Sequence, residues 1–401
     1  MPQGESFWNP YRLVPVRLTT RDYPKRQAPN THERFTGKNG ILHCTLENLT
    51  LLFIPDHHNN SQFCHRKMED GERLIIPGSS LKGMLRSLAE LVGGGCFSTC
   101  PDERKKQKKG VPLYCLKLPQ EYKPCQEARN LCVTCRIFGM MEREEQSRVH
   151  QGQVNISDAV IKEPLDTWQT QECQALLEGP KPTHTAFYTT PTTGKADGLA
   201  RKMYFHQPRG RHSVLEVPPD IPQKHKDKIR TINALKPGHK FDFQVSFANL
   251  QEEELGLLVY VLALENSEQD QRTKKIGDEG PTLHGPMRHK LGLGKPLGMG
   301  SCAITVNRLS YLSPAHRRLE SSQAIVPTQY EGAALTTEIR RLTREFVVDN
   351  SVTMQHLRKM MVWDESDPRD FRYPRFLWFK IKEQDAFKSH PEHGHLPLKK
   401  I

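Results

Sequence analysis

Between Gly292 and Gly300 the sequence GLGKPLGMG places four glycines in nine positions. Such a run suits neither a helix interior nor a regular strand. Each glycine gives up roughly 1 kcal/mol of helix propensity and opens positive φ to the backbone. The segment therefore has to be a tight, irregular loop through which the chain can approach a neighbour or a ligand closely. It lacks the strand-first, helix-next setting and the GKS or GKT ending of an NTPase phosphate loop. Lys295 puts a charge inside it, and Ser301 ends it before a short strand candidate, Cys302 to Val306.

A second punctuated stretch, Ile76-Pro77-Gly78-Ser79-Ser80-Leu81-Lys82-Gly83, opens a helix. Ser79 or Ser80 suits the N-cap, and Leu81, Met84, Leu85, Leu88 and Val92 recur at helical spacing. Helix starts carry unpaired amides and positive potential, so they hold phosphates well. Lys82 and Arg86, one turn apart, add charge to one face. The formal charge of the chain is +12, with basic clusters at Arg104 to Lys109 and Arg201 to Arg211. That balance favours a polyanionic partner, of which nucleic acid is the commonest. Two separate anion sites in a basic chain fit a phosphodiester strand better than a single nucleotide. No apolar run is long enough to cross a bilayer. Met1 to Asn9 has neither the charged start nor the apolar core of a signal peptide, so a cytoplasmic protein is expected.

The remaining pattern predicts an α+β fold. Residues 1–39 read as a polar, proline-bearing arm over the surface. Strand candidates run from Ile41 to Ile54, Val154 to Ile161 and Phe241 to Phe247, with a second helix from Glu252 to Leu264. Stripped of insertions, the order is β, α, β, β, α, β, the split arrangement of ferredoxin-like and RNA-recognition-motif-like domains. The core spans 40–309 and carries two insertions: a basic, cysteine-bearing one at 93–139 and a proline-rich one at 163–235. Residues 310–401 form a C-terminal extension, with a helix near Leu335 to Val347. It either completes the core or contacts an adjacent subunit.

Six of the ten cysteines fall between Cys96 and Cys135. In a reducing compartment such clustering points to metal before it points to disulfides. Cys132 and Cys135, two residues apart, can meet one tetrahedral ion. The second pair is open: Cys115 with Cys125, or Cys96 with Cys100. A closed, structural Zn2+ site is expected, since all-cysteine zinc sites are usually closed.

Pro77–Arg86, the segment CVTCRIFG from Cys132 to Gly139, and GKPLGMGS from Gly294 to Ser301 together resemble hallmarks of the RAMP superfamily. They are most similar to backbone subunits of type III and related CRISPR effectors. The similarity extends to Asn9-Pro10-Tyr11, Gly152–Ala159, Arg201–His206, and Phe247–Leu250 with Glu254-Leu255. The resemblance implies an RNA-binding protein that coats a guide RNA and presents it to complementary target RNA. Its further partners would be other effector subunits, further copies of this chain among them. Ser79, Ser80, Lys82, Arg86, Gly294, Lys295, Gly298, Gly300 and Ser301 would then hold guide phosphates. Residues 163–235 would form a projecting thumb. There Tyr204, Phe205 and His206 face bases, or else pack the thumb's own small core, and Arg201, Lys202 and Arg209 meet phosphates.

Some members of that superfamily cut target RNA with an aspartate in the loop after the first core strand and a divalent metal. In this chain the loop runs from Pro55 to Cys64. Asp56 stands at its start, earlier than that pattern expects, and the middle of the loop has no carboxylate. Asp56 and His57 are the catalytic candidates, with Mg2+ or Mn2+ as cofactor; His32-Glu33 in the arm is a second pair. Guide binding is the expected function, and a metal-dependent endoribonuclease is the alternative.

Overall fold

The computed structural model of the chain describes residues 8–16, 25–30, 36–69, 71–98, 120–141, 149–164, 167–176, 200–208, 221, 223–266, 274–275, 281–312 and 328–373. In its first half lie strands β1 (Tyr11–Pro15), β2 (Lys38–Asn48), β3 (His65–Met68) and β4 (Gly71–Ile76). Helices α1 (Gly78–Val92) and α2 (Val133–Phe138) follow, then β5 (Val154–Ile156), β6 (Ala159–Ile161), β7 (Thr170–Leu176) and β8 (Ala200–Tyr204). The second half holds β9 (Ile229–Leu235), β10 (Lys240–Leu250), α3 (Glu252–Ala263), β11 (His289–Lys290) and β12 (Ser301–Tyr311). It closes with β13 (Thr328–Tyr330), α4 (Gly332–Val348) and α5 (Val352–Met361).

One nine-stranded antiparallel sheet organises the molecule, in the order β11-β12-β2-β10-β6-β4-β3, with β13 on β12 and β5 on β10. The period-2 pattern of the long strands explains it. Leu42, Cys44 and Leu46 of β2 and Phe241, Phe243, Val245 and Phe247 of β10 point into the core. Their outward neighbours are Thr45, Glu47, Asp242 and Gln244. α1 buries Leu81, Leu85 and Leu88 on one stripe. α3 is buried along nearly its whole length, Leu255 through Leu262, because α1, α4 and β12 all pack against it. Of the C-terminal segment, the described helices α4 and α5 pack into this core, with Leu335, Leu342, Met354 and Leu357 buried.

Three local expectations change. Helix α1 begins at Gly78, with Pro77 at the cap, so Ser79 and Ser80 lie in its first turn. The capping oxygen comes from far away: Asp158 Oδ1 accepts from the Gly78 amide at 2.8 Å. The arm is not confined to the surface, because β1 pairs antiparallel with β8, from Tyr11 opposite Tyr204 to Pro15 opposite Ala200. Val14 and Val16 beside it are buried. β8 therefore belongs to the body of the protein and not to a projection, whereas β7 and β9 pair as a separate two-stranded ribbon. No described helix is long and apolar enough to cross a membrane.

Candidate nucleic-acid interface

The glycine run forms the loop its composition demands. Gly292, Gly294, Gly298 and Gly300 all have positive φ, at 81°, 73°, 86° and 78°. At Gly300 a Cβ would stand 1.8 Å from the Leu291 carbonyl oxygen, so no other residue fits there. Amides of Leu293 and Gly300 donate to Phe53 and Leu51 at 3.0 and 2.7 Å, which pins the loop to the segment after β2. Leu297, Gly298 and Met299 donate back to Gly294 and Lys295 carbonyls. The Ser301 amide donates to Thr50 Oγ1, and the Ser301 hydroxyl accepts from Lys290 Nζ at 3.0 Å. Gly298, Gly300 and Ser301 consequently shape the loop, with their amides spent inside the protein.

The helix start and this loop face each other across a cavity of about 440 Å³. α1 contributes Ser80, Gly83 and Met84; the loop contributes Gly292 and Lys295; β8 contributes Lys202, Met203 and Tyr204. Arg288 and Lys290, just ahead of the loop, complete a set of four cationic lining residues with Lys202 and Lys295. Among the described residues, no aspartate or glutamate lines it. The electrostatic consequence is direct. Burial lowers the Lys290 ammonium to about 7 and the Lys202 ammonium to about 8, and it lowers Lys295 as well. The buried Arg288 Nε has no hydrogen-bond partner among the described residues. Lys202 Nζ also sits 3.7 Å from the Tyr11 ring centroid and 5.1 Å from that of Tyr204. A bound anion would relieve this accumulation of positive charge. Sequence reasoning missed Arg288 and Lys290, although the short basic stretch Arg288-His289-Lys290 directly before the glycines was a usable signal.

Other candidates serve different ends. Arg86 donates to Glu90 Oε1 at 3.1 Å, to the Gly139 carbonyl at 2.9 Å and to Cys135 Sγ at 3.4 Å. Arg201 pairs with Glu90 Oε2 at 2.7 Å, stacks over Phe97 and donates to the Cys96 carbonyl. Both guanidiniums are therefore internal, joined by one buried carboxylate. Lys82 is half-buried on α1 outside the cavity lining, its charge disfavoured by burial and by Arg86. Ser79 is exposed in the first turn. His206 is buried between the Ser301 hydroxyl (2.9 Å) and the Arg288 carbonyl (3.0 Å), and burial with nearby Lys290 holds it neutral. Phe205 stacks on Phe371 at 4.9 Å within the core. Arg209 and His32-Glu33 lie outside the described residues.

Asp56 is engaged by its own loop. Its Oδ1 accepts from the His58 and Asn59 amides at 2.8 and 3.3 Å, and its Oδ2 lies 3.8 Å from His65 Nδ1. The His58 amide, above all, holds this buried carboxyl below the usual range. His57 is exposed, its ring 5.5 Å from that of His58. Both backbone donors act on Oδ1, whereas Oδ2 has the longer 3.8 Å contact with His65.

Four buried thiols, Cys96, Cys125, Cys132 and Cys135, bring their sulfurs within 4.8 Å of one another. Cys132 and Cys135 converge as their spacing suggested, and the other two sulfurs come one from each of the open pairs, Cys125 and Cys96. Cys96 supplies the fourth sulfur, in place of Cys115, which with Cys100 lies outside the described residues. The surroundings suit thiolates. The Cys96 amide donates to Cys132 Sγ at 3.5 Å, the Cys132 amide to Cys125 Sγ at 3.3 Å, and Arg86 to Cys135. Neighbouring thiols, Cys125 first, favour the Cys132 thiolate. A buried, four-sulfur group of this kind suits Zn2+, and four thiolates would leave no position open for substrate. Arg136 of α2 ties the centre to α3 through a buried pair with Glu254 at 2.5 Å.

The cysteine centre and every lining residue of the cavity except Met361 lie within one stretch of family similarity. The model of the RAMP superfamily matches residues 45–302, well over half of the chain. Comparison with curated proteins yields no match. From the fold, the cationic cavity and this match together, the chain belongs to the RAMP superfamily of CRISPR-associated, RNA-binding proteins.

Proposed function

We propose that this protein is a guide-RNA-binding backbone subunit of a type III-like CRISPR effector, and that the cavity between α1 and the glycine loop grips the guide. The observation that carries the reading is the set Lys202, Arg288, Lys290 and Lys295 around one cavity, with no carboxylate among its described lining residues. Phosphates would fall to these side chains, and the loop amides would hold the shape. The strand order β12-β2-β10-β6, read with α1 and α3 between strands, supports a ferredoxin-like core, because it is the 4-1-3-2 order that two interleaved β-α-β units give. Zn2+ on Cys96, Cys125, Cys132 and Cys135 would serve as a structural brace. Guide sequence would be read by pairing with target RNA, the protein holding the backbone. Asp56 stands at the start of its loop and the middle of that loop has no carboxylate, so binding is proposed ahead of cleavage by this subunit.

The test is co-purification. Expressed with its guide and partner subunits, the Lys202→Glu/Lys295→Glu chain should lose bound RNA while keeping its fold by circular dichroism. Undiminished RNA on the double variant refutes the assignment.

A further inference from the structure

Strand β8 belongs to no large sheet. Among the described strands it pairs with β1 alone, so no ladder of backbone bonds fixes it against α1, and side chains have to do so. Its far end is held in the core, where Phe205 stacks on Phe371 and His206 meets the Ser301 hydroxyl. At its near end the task falls to Arg201, whose side chain is 11% exposed. Successive strand residues point to opposite faces. Arg201 therefore turns inward where Lys202, the next residue, turns to the cavity.

The inward anchor is the cysteine centre, reached along two routes that meet at Glu90. In the first, Cys135 Sγ accepts from Arg86 at 3.4 Å, and Arg86 Nε donates to Glu90 Oε1 at 3.1 Å. In the second, Arg201 donates to Glu90 Oε2 at 2.7 Å and to the Cys96 carbonyl at 3.0 Å. Cys96 thus offers its sulfur to the centre and its carbonyl to β8. Only 3.6 Å separates its sulfur from that of Cys135, so a bound cation would neutralise thiolates that otherwise repel one another. Its binding free energy is then available to order the segment that holds Cys96.

We infer that the cysteine centre and the RNA site are coupled: Arg201 is a positioning residue that sets Lys202 on the RNA only while the four cysteines hold their metal. The inference rests on the RNA-binding reading above. Coupling between two sites is reciprocal, so RNA must tighten the metal by the factor by which the metal tightens RNA. Arg201 lines no part of the cavity, yet that factor passes through it.

The experiment measures the factor from both ends. Zn2+ is drawn from the purified full-length chain by a competing chelator under reducing conditions, with and without saturating single-stranded RNA. RNA affinity is measured in parallel on zinc-loaded chains. In wild type, RNA should tighten Zn2+ about tenfold, within the range of coupling between sites. Arg201→Met keeps a stem over Phe97 and removes the guanidinium. It should fold by circular dichroism, bind about one Zn2+ and show no RNA effect on zinc; Arg201→Lys replaces it if it does not fold. Lys202→Gln should weaken RNA binding in wild type and change little in Arg201→Met, whereas Lys295→Gln, on the glycine loop, should cost the same in both. A merely structural role for Arg201 would leave both lysine effects intact. The inference is overturned if RNA leaves zinc affinity unchanged in wild type, or if Lys202→Gln costs as much in Arg201→Met as in wild type; the RNA-binding reading then stands. Should the zinc-free chain unfold, folding alone would link the two ligands, and the Lys202 comparison decides. If neither lysine variant weakens RNA binding in wild type, it is the RNA-binding reading that fails.

Discussion

Glu90 is the residue whose loss should be felt most widely. It is 3% exposed and receives Arg86 Nε at 3.1 Å, Arg201 at 2.7 Å and the Ser98 hydroxyl. Glu90→Gln keeps the shape and removes the charge, leaving two guanidiniums without their shared counter-ion. Breaking a buried pair on one side costs roughly 3–5 kcal/mol. The Arg86 and Arg201 side chains are 23% and 11% exposed, so partial solvation places the expected loss near the lower end, about 3 kcal/mol. The assay is equilibrium urea unfolding of the zinc-loaded chain at pH 7, where a loss of that size moves the midpoint by at most about 1 M, because the slope for a chain of 401 residues is about 3 kcal/mol/M or steeper. Glu252→Gln supplies the contrast. Its pair with Arg341 is about half exposed on both sides, at 49% and 56%, and should matter by less than about 0.5 kcal/mol. If Glu90→Gln is as mild as Glu252→Gln, the bridge between helix α1, strand β8 and the cysteine centre does not carry the stability argued for it.

Three further outcomes follow from the geometry. Elemental analysis should find about one Zn2+ per chain; Cys96→Ser should lose it and Cys115→Ser should keep it, and the reverse pattern would reassign the fourth ligand. RNA affinity should fall as pH rises from 7 to 9, because Lys290, at about 7 in the free protein, must be protonated to hold phosphate. The RNA-free chain should instead gain stability over the same range, since the unfolded lysine retains its proton toward its ordinary value of 10.5 while the folded one has lost it; binding curves and thermal midpoints across that pH series check both signs. Gly300→Ala should abolish RNA binding and destabilise the fold, through a Cβ set 1.8 Å from the Leu291 oxygen at a φ of 78°, whereas Gly71→Ala, which meets nothing within 4 Å, should be milder and keep RNA binding.

What the sequence could convey was local. The alternation in β10 and the spacing of Leu81, Leu85 and Leu88 specify their elements without help from distant residues. The four glycines fix a loop through backbone sterics alone. Several misreadings concern partners far along the chain. Asp158 caps α1 from eighty residues away, which demotes Ser79 and Ser80. Glu90 claims Arg201 from over a hundred residues off, so a basic residue beside Lys202 turns inward while Lys202 faces the cavity. β8 reads as part of a long insertion, and only its pairing with the arm returns it to the body. The second cysteine pair stays open by spacing, Cys115 with Cys125 or Cys96 with Cys100, and the fold draws one thiol from each, Cys125 and Cys96.

The central claim, that Lys202 and Lys295 meet a polynucleotide backbone in one cavity, has a direct measurement. At pH 6.5, below the value of about 8 to which burial lowers Lys202, the affinity of the purified chain for single-stranded RNA is followed against salt concentration. Replacing both with glutamine should make the slope of log K against log salt shallower by about 1.4, at about 0.7 for each phosphate that the chain no longer neutralises. Parallel lines for wild type and Lys202→Gln/Lys295→Gln would mean that the RNA lies elsewhere.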